Sequence, residues 1–134
     1  MRLADFTDFL AAARAQPEAQ RLLFVFAVAE LPQAHTPGQA RRFEEGSGGA
    51  LAPVMCVDKG LDELADFAAL AEESRATGRP WDMVFVAALA GAHGAAPQPA
   101  GIERGLKMMI DAVHRGAIER FLAFDTQGDS VRFA

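Results

Sequence analysis

The chain has 134 residues, of which 51% are hydrophobic and 23% are charged. This composition excludes an intrinsically disordered chain, and the length predicts a single domain over residues 1–134 with one core. The formal net charge is −5, and the thirteen basic residues are scattered among eighteen acidic ones rather than clustered. We therefore expect neither nucleic acid nor an anionic membrane surface as a partner.

The compartment is predicted from the apolar runs and the cysteine count. The longest apolar runs, such as residues 22–29, are too short to cross a bilayer, and the first twenty residues lack the apolar run of a signal peptide. The single cysteine, Cys56, cannot form a disulfide within the chain. These features predict a cytoplasmic protein.

Helix and strand patterns alternate along the first half of the chain. Apolar residues at three-and-four spacing predict a helix near residues 5–14, and the apolar residues 21–29 predict a strand covered on both faces. Thr36 followed by Pro37 is typical of a helix start, so we predict a helix from residue 36 to about residue 45. Residues 51–57 predict a second strand, in which Pro53 favours an edge or the first positions.

The alternation continues in the second half. Residues 61–71 have the apolar stripe of a third helix, and residues 83–90 predict a third strand covered on both faces. Residues 91–101 are rich in glycine and proline and predict a loop before a fourth helix, which Gly116 should end. Two short apolar runs separated by a turn at residues 125–128 predict a C-terminal β-hairpin.

This order of elements predicts an α/β fold. Strands that alternate with helices favour right-handed crossovers and a mainly parallel sheet. We therefore expect a mainly parallel sheet of four to five strands, with helices on both faces and a C-terminal β-hairpin.

A parallel sheet would determine where a ligand binds. Ligands of such sheets bind beyond the carboxyl ends of the strands, where helix amino termini point outward. The polar residues that follow the three predicted strands are Glu30, Asp58, Lys59 and His93. We predict that these four residues form any ligand site, and that an anionic metabolite would suit Lys59 and the helix starts.

The segment PVMCVDKG, residues 53–60, allows two interpretations. In the first, Lys59 stabilises a Cys56 thiolate, or Asp58 acts as an acid or base together with His93. In the second, Cys56 is a small core residue, Asp58 caps the next helix and Lys59 points into solvent. Apolar neighbours in a strand raise the pKa of a thiol rather than lower it, so the second interpretation is favoured.

No motif in the chain predicts a metal or a cofactor. The three histidines, the cysteine and the acidic residues lack the short ligand spacing of zinc sites. The chain also lacks the glycine-rich phosphate loop of nucleotide hydrolases, the paired cysteines of dithiol redox proteins and the serine motif of α/β-hydrolases. We therefore expect neither a metal site nor a cofactor.

Four segments resemble a known family. RLLFVFAVAELP, FEEGSGGALAPVMCVDKGLDELADFAALAEESR, WDMVFVAALAG and FLAFDTQGDSVRF together resemble small proteobacterial proteins of unknown function, over nearly the whole chain. Some members carry the label "ribonucleotide reductase subunit alpha", and the resemblance implies no active-site motif. A reductase catalytic chain needs a radical cysteine and a reducing cysteine pair, so the single cysteine argues against that activity.

The sequence thus leaves two hypotheses for function. The first is a protein without catalytic activity of its own that acts through protein contacts, as a homodimer in which the edge of the C-terminal hairpin pairs across a two-fold axis. The second is a small-molecule binder or enzyme with its site at the carboxyl ends of the strands.

Overall fold

The computed structural model describes residues 5–16, 19–30, 50–91 and 95–131. In chain order, the described elements are helix α1 (Phe6–Arg14), strand β1 (Gln20–Glu30), strand β2 (Ala50–Gly60), a 3₁₀ turn (Leu61–Glu63), helix α2 (Phe67–Arg75), strand β3 (Met83–Ala90), helix α3 (Pro99–Arg115) and strand β4 (Leu122–Asp125). The predicted helix at residues 36–45 lies outside the described residues.

Short polar residues and glycine determine where the helices begin and end. The Asp5 carboxylate accepts the N–H of Asp8 at 2.9 Å and starts α1. Asp66 starts α2 in the same way, so the helix predicted over residues 61–71 begins six residues later than expected, after the 3₁₀ turn. Gly116 ends α3 as predicted, with the left-handed φ of 80° that glycine adopts without strain.

The prediction of a mainly parallel sheet is wrong. The four described strands form one sheet in the order β2-β1-β3-β4, and every pair of neighbours is antiparallel. β2 and β3 run in the same direction, joined by α2, but β1 lies between them and runs the opposite way. The predicted helical crossover is present as α2, but the two strands that it joins, β2 and β3, are not neighbours in the sheet.

The apolar pattern of the strands shows that both faces of the sheet are covered by helices, and it carries no information on whether neighbouring strands are parallel or antiparallel. α1 and α2 pack on one face of the sheet, where they bury Phe24 and Phe26 of β1. α3 packs on the other face, over Leu23 and Val25. A strand covered on both faces is apolar at every position whether its neighbours are parallel or antiparallel.

The end of the sheet beyond β3 is closed by the C-terminal segment. β4 pairs with β3 on one side, and residues 129–131 return along its other side. In that turn the N–H of Gly128 donates to the C=O of Asp125 at 3.1 Å, and the N–H of Asp125 donates to the C=O of Asp129 at 2.9 Å. The opposite edge of the sheet is the eleven-residue strand β2.

Candidate functional site

The structure separates Glu30 from Asp58 and Lys59, with which the sequence grouped it. Asp58 and Lys59 lie at the end of β2 where β1 begins, since Gly60 is opposite Arg21. Glu30 lies at the other end of β1, seven residues beyond Leu23, the residue opposite Asp58, or about 24 Å along the strand at roughly 3.4 Å per residue. His93 lies outside the described residues. The grouping depended on parallel strands, and with antiparallel neighbours Glu30 does not lie beside Asp58 and Lys59.

Asp58 belongs to an ionic cluster on the face covered by α3. Arg21 Nε donates to Asp58 Oδ2 at 2.7 Å, and Arg21 Nη1 donates to Glu63 Oε1 at 2.7 Å. The same Glu63 oxygen accepts the N–H of Gly60 at 2.9 Å. The cluster joins the start of β1, the end of β2 and the 3₁₀ turn.

Two members of the cluster, Arg21 and Glu63, have pKa values shifted towards their charged forms. The hydrogen bond to Asp58 is the main cause that raises the pKa of the Arg21 guanidinium above its ordinary value. The hydrogen bond from the Gly60 N–H, followed by the charge of Arg21, holds the pKa of Glu63 below its ordinary value. These groups are stable as ions, which suits a structural clamp better than proton transfer.

Lys59 lies on the opposite face of the sheet from Asp58, because successive side chains of a strand alternate. Its Nζ lies 2.9 Å from Glu73 Oε1 of α2, and its side chain is only 17% exposed. Lys59 therefore neither points freely into solvent nor acts together with Asp58.

A cleft of about 530 Å³ lies beside the ionic cluster, at the start of α3. Its walls include Arg21 and Asp58, the apolar Ile102 and Leu106, and the acidic Glu103. Arg21 already holds two carboxylates, so the charges of the cleft do not favour an anionic ligand.

Cys56 does not have the buried position that the sequence predicted. Its side chain is exposed. The reason is that β2 is the outermost of the described strands on its side of the sheet, so the apolar neighbours of Cys56 in the sequence do not enclose it.

In an antiparallel sheet, the main-chain N–H and C=O groups of successive residues point alternately to the two sides of the strand. This alternation identifies the residues of β2 whose main-chain groups point away from β1. The N–H of Gly91 donates to the C=O of Ala19 at 2.8 Å, so odd-numbered residues of β1 bond towards β3. Even-numbered residues of β1 therefore bond towards β2, where their partners include Val57. The N–H and C=O groups of Cys56 and Asp58 consequently point away from β1, at the outer edge.

Gly60 is the next residue of β2 whose main-chain groups point away from β1. Its N–H donates to the Glu63 carboxylate rather than to β1, which supports the alternation and marks one end of the stretch whose main-chain groups have no described partner. Pro53 belongs to the same set on the other side of a bulge, and proline has no N–H to donate. Between these two residues, the described part of the chain offers no partner to the outward groups of Cys56 and Asp58.

A second, smaller cleft of about 180 Å³ runs between β2 and α2, along the same stretch of strand. Its apolar lining includes Met55 and Val57 of β2 and Leu70 of α2. Apolar surface therefore lies beside the open main-chain groups, as it does at sites that accept an added strand.

Sequence reasoning missed Arg21 and Glu63. Arg21 opens a run of apolar residues that read as a buried strand. A signal for Glu63 was available, because Gly60 and Glu63 have the spacing of a capping box, in which the side chain three residues after the cap accepts the cap N–H.

No family model matches the chain, and neither a curated protein nor a solved structure matches it. Within the described ranges, no cluster of three metal-ligating side chains is present. None of the helices described is both long enough and apolar enough to span a membrane.

Proposed function

We propose that the protein acts through protein-protein contacts, without catalytic activity of its own, and that the contact is strand pairing at the outer edge of β2. The observation that carries the proposal is the stretch between Pro53 and Gly60, where the N–H and C=O groups of Cys56 and Asp58 point outward without a described partner. Unpaired strand edges accept a further strand, and main-chain hydrogen bonds provide the affinity.

The charged residues of the region support a structural role over catalysis. Asp58 is bonded to Arg21 on one face of the sheet, and Lys59 is paired with Glu73 on the other. An acid–base pair needs groups that converge on one substrate atom. The alternative, a site for an anionic metabolite, has weaker support because both cations are already paired with carboxylates.

The proposal also includes a family resemblance and a cellular compartment. We retain the resemblance to the small proteobacterial family, and we exclude ribonucleotide reductase activity for this chain because it has one cysteine. The cytoplasm remains our proposed compartment, since a single exposed thiol suits a reducing environment.

Photo-crosslinking from Cys56 tests the contact. A benzophenone maleimide attached to Cys56 should give one discrete adduct in an extract of cells that naturally express the protein. The control is the Cys56→Ala, Gln127→Cys variant, which carries the probe at an exposed turn residue beside β4.

Competition identifies the edge as the contact. Unlabelled Cys56→Ala protein should suppress the adduct, whereas unlabelled Cys56→Pro protein should not, because it lacks the outward N–H yet keeps the bonds to β1. Equal adducts from both probe positions, or no adduct from Cys56, would contradict the proposal.

A further inference from the structure

We infer that the partner at this edge is a second copy of the chain, paired antiparallel through β2 about a two-fold axis at Val57. The inference rests on the proposed function, because it names the partner of the same edge. A two-fold interface requires a surface patch that complements itself.

The open edge meets that requirement. Its two outward residues, Cys56 and Asp58, are separated by one inward residue, Val57. In antiparallel pairing, Cys56 of each copy can exchange both main-chain hydrogen bonds with Asp58 of the other. Both outward residues of each copy are then satisfied, and the axis passes between the two Val57 residues.

The charges favour the same register. With the axis at Val57, Cys56 lies opposite Asp58 and Met55 lies opposite Lys59, so no like charges oppose each other. An axis at Asp58 would place two carboxylates opposite each other, and directly opposed like charges destabilise a sheet. It would also need the N–H of Gly60, which is already bonded to Glu63.

An axis at Cys56 is the other neighbouring register. It would place Asp58 of one copy opposite Val54 of the other. Val54 is the extra residue of the bulge in β2, since Met55 pairs with Phe26 and Pro53 with Ala27. A bulge interrupts regular ladder pairing, so this register forms fewer main-chain bonds.

The cleft between β2 and α2 adds apolar contact in the favoured register. Val57 lines the cleft, and the axis brings Val57 of the second copy beside it on the same face of the sheet. The cleft volume of about 180 Å³ provides room for apolar side chains of the second copy.

Two substitutions of Cys56 test both the dimer and its register. The Cys56 side chain is exposed, so neither variant should unfold the chain. Cys56→Glu places a carboxylate opposite Asp58 at two symmetric positions, and we expect the dimer dissociation constant to rise about tenfold. Cys56→Lys places an opposite charge there, and we expect dimerisation to be kept or strengthened.

Sedimentation velocity over a concentration series gives the dissociation constants. If both variants weaken the dimer equally, residue 56 of one copy lies opposite residue 56 of the other, because both substitutions then oppose like charges. The proposed register would be wrong. If the wild-type protein stays monomeric at the highest concentration, the dimer is wrong. A crosslinked adduct with a different protein would then leave the proposed contact function standing, whereas loss of the adduct as well would overturn both.

A disulfide checks the register independently. The Cys56→Ala, Val57→Cys variant should form a covalent dimer with copper phenanthroline as oxidant, because directly opposed residues have Cα atoms about 4.5 Å apart. In the wild type, the two Cys56 residues are diagonal neighbours about 7–8 Å apart, so their disulfide should form slowly. Faster linkage of the wild type would overturn the Val57 axis.

Discussion

Ser74 holds α2 beside the cleft next to β2 through a buried hydrogen bond to Trp81. Replacing Ser74 by alanine should lower the free energy of unfolding. Ser74 Oγ accepts the indole N–H of Trp81 at 2.7 Å and donates to the C=O of Ala71 at 2.6 Å. Ser74 is 4% exposed and Trp81 is 8% exposed, so water cannot replace the bond. The Ser74→Ala variant leaves a buried donor without an acceptor.

The expected cost follows from that geometry. An unsatisfied buried donor costs about 1–3 kcal/mol, and the better helix propensity of alanine offsets at most roughly 0.5 kcal/mol. We expect the free energy of unfolding to fall by about 1–2 kcal/mol, measured by urea unfolding with circular dichroism. The Glu72→Ala variant, at an exposed position of the same helix, is the control and should change the free energy of unfolding by no more than about 0.5 kcal/mol.

A double-mutant cycle isolates the hydrogen bond. Trp81→Phe removes the donor, so Ser74→Ala should cost little in that background, and the coupling between the two positions should be about 1–2 kcal/mol. The reasoning is refuted if Ser74→Ala costs the same with phenylalanine at position 81, or if it costs nothing in the wild type.

Three other predictions concern the sheet and its edge. Gly128, in the turn after β4, has a φ of 85°, and a Cβ there would lie 3.1 Å from the Phe67 ring, so Gly128→Ala should lower the melting temperature; an unchanged value would contradict this backbone conformation. Because the pKa of Glu63 is lowered in the fold, its stabilising contribution is complete above the ordinary glutamate pKa and is lost as the pH falls through the lowered one. Glu63→Gln should remove that part of the acid dependence in urea titrations, and an identical pH profile would argue against it. A water-soluble maleimide should label Cys56 as fast in native protein below its dimerisation range as in urea, and native protection would contradict its exposure.

The sequence was most informative where local chemistry decides the structure. The helix end at Gly116 and the start of α1 beside Asp5 depend on groups a few residues apart, and the strand predicted at residues 83–90 is β3 with the same limits. The helix predicted to start near Gly60 begins at Phe67 instead, because Asp66, rather than the predicted Asp58, caps it.

Strand direction and the candidate site could not be predicted in the same way. An apolar strand shows that both of its faces are covered, and β1 is covered on both faces with antiparallel neighbours on either side. The exposure of Cys56 depends on β2 being the edge strand; Pro53 allowed either an edge position or a place at the start of the strand, and the local pattern did not decide between them. The bond between Arg21 and Asp58 joins residues 37 positions apart and follows from the register of two strands.

Amide hydrogen exchange measured by NMR tests the central claim, pairing at the outer edge of β2, most directly. The account predicts that the N–H groups of Cys56 and Asp58 become protected together as the protein concentration rises. The N–H of Val57, which points towards β1, should be protected at every concentration and serves as the internal control. If Cys56 and Asp58 exchange as fast as exposed amides at all concentrations while Val57 stays protected, the edge does not pair with a second copy.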